Sequence, residues 1–408
     1  MTGLTRRQAA LLLAASPLAG CGQGAPGDAP SVSNWPDVLV QARGQTVHWH
    51  AWGGDARINA YIAWVAERLA QGNGIRLVHV KAADTASLLN QLVADRTSGR
   101  LRDGRTDLVW INGENFAAAR RAGLLYGPFA DALPNWPLVD TVGKPATVRD
   151  FMLDTEGFEA PWGLAQLTFF HDAARLPDPP RTLAELLARA QTNPGRLTYP
   201  APPDFLGSTF LKQALHDLMA DASLLARPPE QAAFEAVTAP LWRYLDALHP
   251  RMWRRGRSYP QDAPALMRLL EDQEIELAFG FNPAEAASAV ITGRLPASAR
   301  AYTLRGGTIQ NSHFVAIPFN APSRAAALVT ANFLLSPEAQ ARKSDPYVWG
   351  DATVLAVDRL APGDRAAFTR NRRHPSLPSA GDLARNLAEP HGSWQRPLED
   401  GWRRRYGS

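Results

Sequence analysis

A chain of 408 residues with 45% hydrophobic residues and 12 tryptophans holds enough apolar material for two domains or two lobes. Its formal charge of +4, half of it from Arg6 and Arg7, is too mild for a nucleic-acid binder. The clusters Arg370-Asn371-Arg372-Arg373 and Arg403-Arg404-Arg405 read as solvated tails, and Cys21, the single cysteine, excludes an internal disulfide and a thiolate metal cluster.

Met1 to Cys21 reads as an address label. Arg6-Arg7 precede an apolar run from Ala9 to Ala15, and Leu18-Ala19-Gly20-Cys21 closes it with small residues before a cysteine. The pattern resembles a bacterial lipoprotein signal, which implies lipidation of Cys21, and Thr5-Arg6-Arg7-Gln8 resembles a fragment of a twin-arginine export signal. Gln23 to Ser33, rich in Gly, Ala and Pro, reads as flexible, and a tether is expected over residues 22–43. No other run reaches the roughly 18 apolar residues of a membrane-spanning helix. The expectation is an exported protein of the periplasm, held at the membrane by lipid only.

Alternation then begins. Thr46 to Trp52 predicts a strand, and Ile58, Ile62, Val65 and Leu69 mark one face of a helix that Asp55 caps. Ile75 to Lys81 predicts a second strand, followed by a helix capped by Thr85 and bearing Leu88, Leu89, Leu92 and Val93. Leu108 to Ile111 is an unbroken apolar run, which suits a parallel strand buried on both faces. It empties into Asn112, Gly113, Glu114 and Asn115, ahead of a helix over Phe116 to Ala122 with Gly123 as its stop. Three βα units imply right-handed crossovers and a parallel sheet, so the loops after Trp52, Lys81 and Ile111 should share one edge. Trp52-Gly53-Gly54 then neighbours Asn112 to Asn115, offering a flat ring beside backbone that a ligand can approach closely. Plain helix capping by Asn115 and Glu114 is the structural alternative. His48 and His50 share a strand face but lack a third ligand for a metal.

Beyond Pro128 the chain is irregular until Ala160-Pro161-Trp162-Gly163 and the extended run Leu164 to Phe170, which reads as a crossover between lobes. That places Trp162 and Gln166 at the junction, unless Trp162 is a core residue. Further αβ units follow. Thr182 caps a helix over Leu183 to Ala190, Leu197 to Tyr199 is a short strand, and Gly207-Ser208 opens a helix reaching Leu218. Helices over Glu230 to Leu248 and Asp262 to Leu270 precede the strand that ends in Gly280-Phe281-Asn282, with Pro283 starting the next helix. Phe281 and Asn282 thus mirror Ile111 and Asn112 from the second lobe, and two facing strand-end loops make a cleft. Ala301 to Leu304 predicts a second crossover strand, Gly306 to His313 a polar turn, Phe314 to Pro318 a buried strand, and Arg324 to Leu335 a helix continued over Pro337 to Ala341.

The order of elements, the two crossovers and Ala331-Asn332-Phe333-Leu334-Leu335-Ser336-Pro337-Glu338-Ala339-Gln340-Ala341 resemble extracytoplasmic solute-binding proteins of ABC importers. Asp107 to Phe116, Gly123-Leu124-Leu125-Tyr126-Gly127-Pro128-Phe129 and Ala51-Trp52-Gly53-Gly54 are similar to a YnjB-like branch of that family. The match spans about Val47 to Ser344. It implies an α/β chain with a two-lobe periplasmic-binding-protein-like fold of type II and a hinge between lobes. The expected division is lobe I over 44–160, lobe II over 161–300 and a return to lobe I over 301–408. It also implies a monomer that closes on a small solute and presents it to a permease, with no cofactor and no metal.

Ligand-binding expectations fall on Trp52 and Trp162 as stacking walls and on Gly53, Gly54, Asn112, Asn115, Gln166, Ser208, Gln310 and Asn311 as polar contacts. Phe281 and Asn282 answer them from the second lobe. Glu114 beside aromatic faces would select a cation, and the same set without charge suits a sugar. The adjacent tyrosine pair of iron-binding relatives is missing. Two rival classes stand beside this reading. A secreted hydrolase would rest on Glu114 with Asp204 or Asp55, although no nucleophile elbow, Walker loop or His-Glu-x-x-His occurs. A lipoprotein that only docks protein partners is the other.

Overall fold

The computed structural model describes residues 34–82, 85–371 and 373–407, so Cys21, the leader and the Gly-, Ala- and Pro-rich segment through Ser33 lie outside the described residues. Strand β1 (Thr46–Trp52) pairs in parallel with β2 (Arg76–Ala82) and with β3 (Leu108–Ile111), which confirms one shared edge for the loops that follow them. Helices α1 (Trp35–Ala42), α2 (Ala56–Asn73), α3 (Ala86–Thr97) and α4 (Glu114–Arg121) cover this sheet. The α2 start obeys local chemistry, because Asp55 accepts the backbone N–H groups of Arg57 at 2.7 Å and Ile58 at 3.0 Å. Two expectations shift. The region assigned to tether through residue 43 is helical from Trp35 and buries Val38 and Ala42. Thr85 stands before α3, but its hydroxyl donates to the Trp110 carbonyl at 3.1 Å instead of capping.

The short strand β4 (Leu125–Tyr126) and the hairpin of β5 (Arg149–Asp150) and β6 (Leu153–Asp154) lead to β7 (Glu159–Gln166). Lobe I keeps β7, which runs antiparallel to the long β11 (Thr308–Pro318); β11 also pairs with β3. The chain changes lobe at Leu167, inside the crossover predicted over Ala160 to Phe170, so residues 161–166 stay with lobe I. Leu167 separates β7 from β8 (Thr168–Asp172), the central strand of an antiparallel lobe II sheet with β9 (Leu277–Gly280) and β10 (Ala299–Tyr302). The return path lies after β10, over residues 303–307, so Ala301 belongs to lobe II. The polar turn expected over Gly306 to His313 is mostly strand β11, its polar side chains tolerated because they find partners, Asn311 with Glu389, Ser312 with the Ala146 carbonyl and His313 with Asp351.

Lobe II adds α5 (Leu183–Thr192), α6 (Phe205–Leu218), α7 (Gln231–Leu248), α8 (Ala263–Glu271) and α9 (Glu285–Ile291). Thr182 caps α5 as expected. Asp204, not Gly207-Ser208, caps α6, and Pro283 stands two residues ahead of α9. The chain then lays α10 (Arg324–Leu334) and α11 (Pro337–Ser344) on lobe I. Helices α12 (Pro362–Thr369) and α13 (Ala380–Leu383), strand β12 (Asn386–Ala388) and helix α14 (Gln395–Tyr406) complete it. Strand β12 pairs in parallel with β11, while α14 buries Leu398 and Trp402 in the lobe II core. The last segment therefore runs from the sheet of one lobe to the core of the other.

Each lobe has its own core. Lobe I packs on both faces of its sheet, with Trp49, Trp162 and Leu328 on one side and Val109, Phe116 and Phe314 on the other. Fully burying a large side chain contributes ~1.5–3 kcal/mol, which explains why the unbroken β3 run is needed. Among the described residues no helix is long and apolar enough to cross a membrane.

Candidate functional site

At the β1 end, Trp52 is 39% exposed and its ring lies on Gly54, where a Cβ would come 2.5 Å from the indole. Gly54 is therefore the seat of the ring. Gly53 packs on the Lys81 stem and accepts a hydrogen bond from Asn59 at 3.0 Å. At the β3 end, Gly113 adopts a left-handed conformation (φ 62°) and donates its N–H to Asp150 Oδ2 at 2.5 Å. Glu114 and Asn115 form the first turn of α4, Glu114 exposed and Asn115 half-buried beside the half-buried Asn112. The Asp150 hairpin turns through two non-glycine residues with positive φ, Phe151 (45°) and Met152 (66°). That strain places the Phe151 ring against Gly113, where a Cβ would come 2.8 Å from it.

Lobe II answers with one face of α6. Ser208 donates its hydroxyl to Glu399 at 2.6 Å, and one turn later the Lys212 ammonium lies 2.8 Å from Glu389, both side chains only 2% exposed. The same ammonium stands 4.6 Å from the Phe151 ring centre and 5.9 Å from that of Phe205. Asn311 on β11 donates to Glu389 at 3.2 Å. Phe205, 39% exposed, meets Phe281 edge-on at 5.1 Å. Asn282 is turned inward, accepting the N–H of Ala284 at 2.9 Å and donating to the Trp349 carbonyl at 3.4 Å.

Burial holds the Asp150 carboxyl well above the usual carboxylate range against the opposing Gly113 N–H, and the Glu389 charge pushes the same way. Burial also raises Glu399, with Ser208 opposing and Glu114 adding repulsion. Beneath the junction, Asp351 joins Lys343 at 2.5 Å and His313 at 3.0 Å, and Trp349 stacks on the His313 ring. Burial alone would raise Asp351; the Lys343 ammonium first, and then the His313 ring, hold it low.

The structure thus gathers the Gly113 loop, Ser208 and Asn311 around Lys212, with Trp52, Phe281 and Asn282 on the flanking strand-end loops. Two expected residues serve the framework instead. Trp162 is fully buried among Trp49, Trp110 and Trp349, so its face meets tryptophans rather than the cleft. Gln166 is pinned by Thr308 and the Arg385 carbonyl, each at 3.1 Å. Gln310 is half-buried in the ladder between Gln166 and Ala388. Sequence reasoning missed Asp150, Phe151, Lys212, Glu389 and Glu399. Only Lys212 carried a signal, a lysine among Phe210, Leu211, Ala214 and Leu215 on a buried helix. Among the described residues no group of three metal-ligating side chains converges.

The family model for bacterial extracellular solute-binding proteins matches residues 64–357. Protein YnjB of Escherichia coli strain K12 is 44% identical over 380 residues, covering 93% of this chain and 96% of that protein. An ABC transporter structure from Clostridium perfringens ATCC 13124 aligns with a TM-score of 0.61 at 14% identity, covering 88% of this chain and 98% of that one. A putative spermidine/putrescine ABC transporter structure from Listeria monocytogenes gives 0.59 at 14%, covering 88% and 97%. At such identities the solved structures speak for the fold, and they share the two-lobe architecture. With most of its length matched and a relative well above 30% identity, the chain belongs to the bacterial extracellular solute-binding proteins.

Proposed function

We propose that this protein is anchored outside the cytoplasmic membrane by a lipid on Cys21, works as a monomer, captures a small solute between its lobes and delivers it to an ABC permease without chemically altering it. The observation that supports the reading is the meeting, at the lobe junction, of the Gly113–Asp150 pair of one lobe with Lys212 of the other, which Glu389 links to Asn311 on β11. A solute touching both lobes favours the closed state by its differential affinity, and a permease can then tell loaded from empty. Trp52, Phe205 and Phe281 offer rings at the cleft, and Glu114, Asn112 and Asn115 offer polar groups at the α4 start.

A thermal-shift screen of the mature chain tests this, using polyamines, sugar phosphates, amino acids, and thiamine and its phosphates. A solute at 100 times its dissociation constant contributes ~2.7 kcal/mol, visible as a raised Tm. A hit that survives long incubation unchanged supports binding, whereas its turnover would point to the hydrolase. A well-folded protein that answers to nothing would move weight to protein docking. The anchor is checked by mass spectrometry of the N-terminal peptide from membranes, where the lipid increment should vanish in Cys21→Ala.

A further inference from the structure

Glu389 and Glu399 both come from the C-terminal segment, and both sit on the cleft-facing side of α6, one on Lys212 and one on Ser208. Between them Gly392 donates its N–H to the Phe151 carbonyl at 3.3 Å and packs on Gly113 and Glu114. The segment therefore lies between the Gly113 loop of lobe I and the α6 face of lobe II. Its seat has mixed quality. The Glu389 carboxylate gains Lys212 and Asn311, yet its charge repels Asp150, as the Glu114 charge repels Glu399. Among the described residues, Asp150 Oδ1 and Asn311 Oδ1 are buried acceptors that meet no donor. A buried acceptor without a donor is unfavourable, so the space lacks a donor on the Asp150 side while Glu389 already holds the acid position on Lys212.

We propose that residues 389–393, between β12 and Trp394, are a displaceable occupant of the solute cleft, and that the solute they give way to is a zwitterion. Its acid group takes the place of the Glu389 carboxylate on Lys212 and Asn311. Its ammonium group meets Asp150 and Glu114, turning two like-charge repulsions into attractions. A simple anion would inherit the repulsion, and a simple cation would leave Lys212 unpaired. This rests on the solute-binding reading and adds the class of solute and the competitor built into the chain.

Three probes of similar length separate the possibilities on the full mature chain: 4-aminobutyrate, glutarate and putrescine. Titration calorimetry should rank 4-aminobutyrate first. Glu389→Gln keeps the shape but weakens the hold on Lys212, so it should bind 4-aminobutyrate about tenfold tighter than the parent, since more of the chain is binding-competent. Adding Lys212→Met to that variant should abolish binding. In the unmutated chain, 4-aminobutyrate should speed amide exchange over 389–393. Unchanged or weaker binding in Glu389→Gln, or exchange that slows or does not change, overturns the displaceable segment and makes Glu389 a wall of the site. A preference for putrescine or glutarate overturns the zwitterion and leaves solute binding standing. Silence from all three probes overturns the zwitterion as well, and the wider screen then decides separately whether any solute binds.

Discussion

The Lys343 ammonium sits 2.5 Å from an Asp351 carboxylate oxygen where neither side chain reaches solvent. Breaking such a pair leaves a bare buried charge, which costs more than the intact pair contributes. Lys343→Met should therefore destabilise the protein by roughly 3–5 kcal/mol in chemical denaturation, and pairing it with Asp351→Leu should restore part of the loss. Two independent losses that simply add would refute the coupling.

Trp52 and Trp162 are both tryptophans near the lobe junction, and they should answer to substitution in opposite ways. Trp162→Ala empties a fully buried site and should cost about 3–5 kcal/mol of stability. Trp52→Ala, at an exposed rim position, should change stability by less than about 1 kcal/mol. It should weaken the solute found by screening about tenfold or more. Denaturation curves and titration calorimetry on both variants check the contrast.

Gly207 lies inside α6, where alanine ordinarily gains up to ~1 kcal/mol over glycine. Here a Cβ would come 2.1 Å from the Pro200 carbonyl oxygen, a backbone atom that cannot swing aside. Overlap outweighs propensity, so Gly207→Ala should lose roughly 1–3 kcal/mol and displace the Ser208 and Lys212 face. A stabilised variant in thermal melts would contradict this.

Glu285, half-buried against Gly280, has its carboxyl pushed up to about 8 by burial, with the Asp55 charge across the junction adding to it and Arg294 opposing. A carboxyl raised in the folded state binds more protons than it does unfolded, so its contribution is present at low pH and falls as pH rises from about 4.5 to about 8. Glu285→Gln should match the parent near pH 4 and exceed it at pH 8 by of order 1–3 kcal/mol, after allowance for partial exposure. Urea midpoints at the two pH values decide it.

How far the chain could be read in advance depended on whether a feature had a local cause. The β1, β2 and β3 strands and the Asp55 and Thr182 caps follow from periodicity and short-range hydrogen bonding, and they stand where expected. The two lobes followed from the order of those elements. The pivot did not, because the run from Ala160 to Phe170 is extended on both sides of Leu167 and only pairing partners tell one sheet from the other. Trp162 looked like a wall for the same reason. Glu389 and Lys212 lie 177 positions apart, and nothing near either residue announces the other.

The passage of residues 389–394 from β12 to Trp394 also sets a reach. Six residues at full extension span about 20 Å, so this stretch acts as a stay between the lobes. Any gape wider than that must peel β12 from β11 or draw Trp394 away from Phe234. The swing of one lobe against the other is thereby bounded by the chain itself, and a longer insertion after Glu389 would widen the mouth without touching a single residue that meets the cargo.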